Sequence, residues 1–527
     1  MSDFTGTGTL VRLALRRDRI LLPAWILVFA GMAYSSAAAT VGLYPDEAAR
    51  RTAAEAVNSS TALVALYGPV YDPESLGEIS LFKMTAFGAA LAAVLMIFLV
   101  VRHTRGDEES GRLELMASGR LGRNAPLTAA LIVVTGASLV MALLSAGALS
   151  STGLSGQGSL AFGLGWGLTG LAFGAVAAIC VQITTGARAA RGIALIALAV
   201  AYAIRAIADV TEGTWLSWLS PIGWMQQVRA YAGDRWWVLL LPLALTVVCV
   251  PIAFALRSRR DLGAGFITDR PGPAHGRLGT VWGLAWRLQR SVLLVWAAVF
   301  ALFGLLMGSL IESSTGFLNS EQAIEFLEKL GGDKTLTDAF LGTELSFMGI
   351  IVTGFGISAA ARLRSEETDG HAEVLLAQPV DRLRWALSHI LIAAGGVAAI
   401  LLAGGLGLAI GAALTTDNAP GFWSLVGAAL ARVPAAWVLT AVVVLLFGWL
   451  PRWVPLAWGV FVAALVLGEF APLWDAPQWV MDISPFVHSP RLPAASASMG
   501  GLIPLAAIAV VLLVVGLVGW RRRDLQP

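Results

Sequence analysis

Two stretches of this chain place ionisable side chains in the same order and at the same spacing. Residues 105–123 read RGDEESGRLELMASGRLGR and residues 364–382 read RSEETDGHAEVLLAQPVDR. An offset of 259, which sets Gly111 on Gly370, also pairs Arg105 with Arg364, Glu108 with Glu367, Glu114 with Glu373 and Arg123 with Arg382. Carboxylates and guanidinium groups in this pattern suit charge-assisted docking rather than bond-breaking chemistry. Each glycine permits a tight turn into a short helix. Glu114 or Glu373 then falls early in that helix, where a carboxylate favours the dipole. The apolar pairs that follow, Leu115–Met116 and Val374–Leu375, are expected against the membrane or in a partner's groove. Arg120, Arg123, Arg382 and Arg384 close the element beside the lipid headgroups. An ionised helix between two apolar runs serves nothing inside a bilayer. It is expected in water, as a docking element.

The elements that must position these helices are membrane spans. Of the 527 residues, 57% are hydrophobic and 13% charged, and the mean hydropathy is +0.75. Soluble domains carry about 25% charged residues, so the composition predicts a polytopic membrane protein. Crossing the hydrocarbon takes about 20 apolar residues. Candidate spans lie near 20–43, 81–101, 127–150, 159–182, 192–210 and 236–256, and again near 291–311, 345–361, 386–414, 424–449, 453–470 and 499–519. Further self-similarity supports two homologous halves. GTLVRLALRRDRILLPAW at 8–25 resembles GTVWGLAWRLQRSVLLVW at 279–296, and RRDL at 259–262 returns at 522–525. The predicted fold is all-α, with about 12 transmembrane helices in two parallel six-helix repeats, residues 1–263 and 264–527. Such repeats are related by an axis along the membrane normal. Most of the 36 Lys and Arg residues fall on the side of the termini, which predicts that both termini are cytoplasmic. The other face carries Trp215, Trp218, Trp236, Trp237, Trp474 and Trp479 as an interfacial belt. The first apolar run is read as a retained span rather than a cleaved signal, because the same basic-then-apolar pattern recurs at 287–311.

The second charged stretch, with Glu366, Gly370, Glu373, Leu375, Leu376, Ala377, Pro379, Val380 and Arg382, resembles the loop after the second span in permeases of type-2 ABC exporters. The first stretch departs from that pattern, with Gly119-Arg120-Leu121 in place of Gln378-Pro379-Val380. The double-length form resembles fused actinobacterial permeases of polyketide-antibiotic exporters. That resemblance implies a permease in the plasma membrane that exports a lipophilic small molecule by alternating access. It also implies that the charged loops are coupling helices, seated in two copies of a separate nucleotide-binding ATPase. Arg105, Glu108, Gly111, Glu114, Arg364, Glu367, Gly370 and Glu373 are then the coupling residues. ATP and Mg belong to the partner, and the chain itself carries no cofactor. A basic amphipathic helix before the first span of each half is expected by the same resemblance, at Gly8–Arg19 and Gly279–Arg290, with Leu10, Leu13 and Leu15 opposite Arg12, Arg16 and Arg19. So are short half-re-entrant helices in 214–237 and 471–497.

The chain is not expected to be an enzyme. A phosphate-binding loop needs Gly-x-x-x-x-Gly-Lys-(Ser/Thr), and the lysines are only Lys83, Lys329 and Lys334, with Asp333 at the required glycine. The five histidines are scattered, without metal-ligand spacing, and Cys180 and Cys249 sit in apolar runs. A net charge of +2 makes no case for a nucleic-acid partner. Four charges fall in or beside spans: Arg205 and Asp209 four residues apart, Arg432, and Glu469. Such groups face a cavity or a partner, so they are candidates either for function or for locking spans together. The rival function is a proton-driven drug transporter of the major facilitator type. Its glycine- and arginine-rich loop motif is poorly matched here, where Leu115 and Gly119 stand at the required Gly and Asp.

Overall fold

A backbone in hydrocarbon has no water to bond, so apolar runs of span length must satisfy their own N–H and C=O groups as helices. The computed structural model describes all residues except 1, 44–45, 60, 118–120, 212–213, 262, 268–278, 310, 312–335, 416–420, 471–476, 491–499 and 526–527. Among the described residues there is no strand, and eleven helices are long and apolar enough to cross a membrane. The chain is an all-α polytopic membrane protein, divided into compact units Met1–Pro271 and Gly272–Pro527.

In the first unit a short helix, α1 (Thr7–Arg17), precedes the long α2 (Leu21–Leu43). Helices α3 (Glu47–Ser59) and α4 (Thr61–Tyr67) occupy the connection to α5 (Leu76–Arg102), which is followed by the short α6 (Arg105–Glu109) and α7 (Arg112–Ala117). Then come α8 (Ala125–Ser150), α9 (Gly156–Ile183), α10 (Ala187–Val210), the short α11 (Pro221–Gln227) and α12 (Leu240–Arg257). Helix α9 is central, packed against α5, α8, α10 and α12. Its Trp166 is fully buried, with ring centroids 5.5 Å from Phe29 and 4.8 Å from Phe162, and its indole N–H donates to the Met84 carbonyl at 3.2 Å.

The second unit contains α13 (Val281–Ser309), α14 (Leu336–Thr368), the short α15 (His371–Leu376), α16 (Arg382–Thr415), α17 (Phe422–Leu430), α18 (Val433–Trp449), α19 (Leu456–Leu465), α20 (Gln478–Met481) and α21 (Leu502–Arg522). Small residues let α13 and α16 approach at backbone contact, the usual basis of helix association in lipid. A Cβ on Gly407 would stand 2.1 Å from the Ala301 carbonyl oxygen, and one on Gly411 2.2 Å from that of Leu305. Gly407→Val is therefore expected to prise the pair apart at a cost of about 1–3 kcal/mol. Thermal unfolding in detergent would read this. Gly395→Val is the matched control on the same helix, because no atom lies within 4 Å of a Cβ built there.

Several expectations need correction. The span expected at 453–470 is a shorter apolar helix, Leu456–Gly468, and is not among the eleven. In the second unit the basic helix is not separate, because α13 runs unbroken through Arg287 and Arg290. In α1 the buried stripe is Leu10 and Ala14, while Leu13 and Leu15 are exposed. Leu10 packs on Ala125 and Ala129, and a helix this short can seat only one narrow stripe on a neighbour. The 214–237 stretch forms a 3-10 turn at Thr214–Leu219, α11, and a second 3-10 turn from Trp236. Much of its counterpart at 471–497, and most of the external stretch 312–344, lie outside the described residues.

Candidate functional site

The two charged stretches are built alike. Gly111 and Gly370 have φ of 68° and 76°, a left-handed conformation that glycine adopts without strain, and each leads directly into a short helix, α7 or α15. Glu114 and Glu373 lie in the first turns of those helices and are exposed. Beside them Leu115 and Val374 are 79% and 68% exposed. These two pairs form the outward tips of the element.

The other half of each stretch faces inward, contrary to the expectation of an entirely water-exposed loop. Glu108 is buried among three guanidinium groups. Arg105 Nη1 donates to it at 2.6 Å, Arg260 Nη2 and Nη1 at 2.8 and 3.0 Å, and Arg257 Nη1 at 3.5 Å. Glu367 is also buried, and Arg523 grips it with two bonds of 2.6 and 2.7 Å while Arg364 donates at 3.2 Å. Arg260 and Arg523 are the second arginines of the two RRDL repeats. Each therefore closes the last long helix of its unit onto the stretch that follows the second.

Backbone bonds repeat the same plan. Arg123 donates to the Arg260 carbonyl at 2.9 Å, and its counterpart Arg382 donates to the Arg523 carbonyl at 3.0 Å. In return Arg257 donates to the Arg123 carbonyl at 2.7 Å, and Trp520 to the Arg382 carbonyl at 3.2 Å. Position 257 is occupied by arginine in one unit and its equivalent by Trp520 in the other, so the second clasp is partly aromatic. The Arg523 guanidinium lies 4.7 Å from the Trp520 ring and 4.8 Å from Phe447. Asp107 pairs with Arg17 at 2.8 Å and Arg112 at 3.8 Å, and its counterpart Glu366 pairs with Arg362 at 3.1 Å and His371 at 3.3 Å.

Sequence reasoning found Glu108, Glu367 and RRDL but did not join them. Each acid lies about 150 residues from its arginine, and the local pattern of an ionisable loop points to solvent rather than to a distant partner. The signal was present all the same: two repeats with nearly equal offsets, one acidic and one basic.

The charges in the spans are also engaged. Arg205 is fully buried, 3.2 Å from Asp209, and its Nη2 donates to the Ala65 and Leu66 carbonyls at 2.6 and 2.9 Å. It thus supplies a positive charge to the C-terminal end of α4, where a helix dipole favours one. Arg432 is buried at the break between α17 and α18, with Nη2 donating to the Gly342 carbonyl at 3.3 Å. Glu469 lies in the π-turn Val466–Phe470, and its side chain is outside those described. Cys180 and Cys249 are free and buried. No group of three or more potential metal ligands occurs among the described residues.

Eleven long apolar helices among the described residues, with the two ionic clasps at their ends, define a polytopic membrane protein. Comparison with known proteins places it further. Residues 278–521 match the family model described as multidrug efflux system permease Rv1217c, C-terminal domain. The whole chain is 42% identical over 532 residues to multidrug efflux system permease protein Rv1217c of Mycobacterium tuberculosis (strain ATCC 25618 / H37Rv), covering 100% of this chain and 96% of that one. The chain belongs to this family of multidrug efflux system permeases.

Proposed function

We propose that the chain is the membrane permease of an ATP-driven exporter, moving a lipophilic small molecule out of the cell while a separate ATPase supplies the energy. Its two units act as homologous six-span halves, with both termini cytoplasmic and the short helices α7 and α15 each seating one ATPase copy. The observation that carries this reading is the construction of those helices: a buried acidic base clasped to an arginine at the end of the last long helix, and an acidic and apolar tip left exposed. The tip suits a groove that offers cations and an apolar floor.

The clasp makes the tip mechanically useful. Each stretch is continuous with the end of α5 or α14 and tied to the end of α12 or α21. A displacement of the seated helix is then carried into two membrane-spanning helices at once. Export by alternating access requires such coupled movement, and the named activity of the M. tuberculosis relative, multidrug efflux, supports a lipophilic cargo.

Affinity purification of the full chain in mild detergent tests this. A soluble-type ATPase is expected at two copies per permease, with hydrolysis stimulated by lipophilic drugs. A chain that transports drug while purified alone would overturn the reading.

A further inference from the structure

The first unit carries a second site, apart from the clasps' exposed tips. A groove of about 520 Å³ opens along α5, walled by α2 on one side and by the start of α10 on the other. Its long wall is apolar, formed by Leu21, Trp25, Leu91, Val94 and Phe98. Its end is basic, formed by Arg17, Arg102, Arg112 and Arg191, with Asp107 as the one acid in the lining.

The charges there do not balance. Arg17 holds Asp107 with bonds of 2.8 and 2.9 Å, leaving Arg112 at 3.8 Å from the same carboxylate. Arg102 pairs with one oxygen of buried Asp18 at 3.1 Å while His103 bonds the other at 2.5 Å, so the unmatched charge rests on Arg112, which shares Asp107 with Arg17, and on Arg191. Arg191 lies 6.0 Å from the Phe98 ring and has no carboxylate partner among the described residues. Positive charge therefore remains in excess where the apolar wall ends.

We propose that this groove holds one anionic phospholipid, its phosphate among Arg102, Arg112 and Arg191 and one acyl chain along Leu91, Val94 and Phe98. Guanidinium groups pair with phosphate in bidentate fashion, and basic pockets between spans suit anionic headgroups. Helix α5 rises about 16 Å from Leu91 to Arg102, the length of an acyl tail. A phosphate alone would leave the apolar wall unused, and a neutral lipid would leave the arginines uncompensated. The site belongs to the first unit only. At the repeat offsets Arg17 becomes Leu288, Arg102 becomes Ala361 and Arg112 becomes His371, and only Arg191 keeps an arginine, Arg452. An interface needed by every half would not lose three of its four arginines in one.

With the orientation proposed above, the headgroup lies in the cytoplasmic leaflet; the binding itself does not depend on that orientation. The test is native mass spectrometry of the full chain in non-ionic detergent, titrated with phosphatidylglycerol or phosphatidylcholine. One phosphatidylglycerol should bind with at least tenfold preference. Arg102→Gln with Arg191→Gln should remove about tenfold of that affinity or more, whereas Arg16→Gln with Arg19→Gln, exposed arginines outside the lining, should not. Val94→Trp keeps every charge and should block the acyl chain, so loss of binding cannot be assigned to unfolding by stranded acids alone. Thermal unfolding of each variant is read alongside. Equal binding of both lipids, retention in the double variant, or full competition by glycerol 3-phosphate would overturn the proposal. Co-purification of the ATPase is scored separately: its absence with lipid still selectively bound would refute the transport reading and leave the groove standing.

Discussion

Glu367→Lys is expected to destabilise the second unit by about 3–5 kcal/mol, the usual consequence of removing one partner from a buried ion pair. Arg523 would lose both of its bonds to the carboxylate and face a like charge from the lysine and from Arg364. The thermal midpoint of the solubilised chain should fall by about 10 °C, with loss of folded protein from the membrane. Glu108→Lys should behave alike in the first unit, where three guanidinium groups surround the carboxylate. Pairing Glu367→Arg with Arg523→Glu should recover part of the stability, because the swap keeps the pair and changes only its polarity. A loss under about 1 kcal/mol in either single variant would mean that the clasp is an ordinary surface ion pair.

The opposite behaviour is expected two turns away. Glu373→Lys with Val374→Asp, and Glu114→Lys with Leu115→Asp, alter exposed side chains at the tips of α15 and α7. Surface changes of this kind usually shift stability by no more than about 0.5 kcal/mol. Reversing a charge that a partner buries costs about 2–5 kcal/mol, or at least about 30-fold in affinity. Recovery of the ATPase should therefore collapse while unfolding stays at the wild-type temperature. Equal recovery of the ATPase from both double variants and wild type would remove the docking role. A fall in stability that matches the fall in recovery would make the tips structural instead.

The contrast between Glu367 and Glu373 shows how far the sequence could be read. Hydropathy exposed the spans because hydrocarbon admits little besides apolar helix, and eleven of the expected helices appear at span length. The repeat of glycine, acid and arginine revealed where the short helices lie, since φ above zero at Gly111 and Gly370 is a local demand on residue type. The direction each carboxylate faces was not legible. Glu367 and Glu373 are chemically alike and six residues apart, and Arg523, brought near by the packing of α21 in the folded chain, holds the first and not the second in its two short bonds. Arg205 is a similar case. Its spacing to Asp209 announced an ion pair, but the Ala65 and Leu66 carbonyls that it caps lie about 140 residues earlier in the chain. Short-range pattern carries element type and local turns, whereas the partners of buried charges are set by tertiary contacts.

The most direct measurement is drug transport in proteoliposomes that contain the purified chain with or without the ATPase that co-purifies with it. Uptake into inside-out vesicles should require both proteins and ATP, persist when an uncoupler dissipates the proton gradient, and vanish with Glu373→Lys and Glu114→Lys combined. Accumulation by the chain alone, driven by an imposed proton gradient without ATP, would contradict an ATPase-coupled permease and establish a secondary transporter in its place.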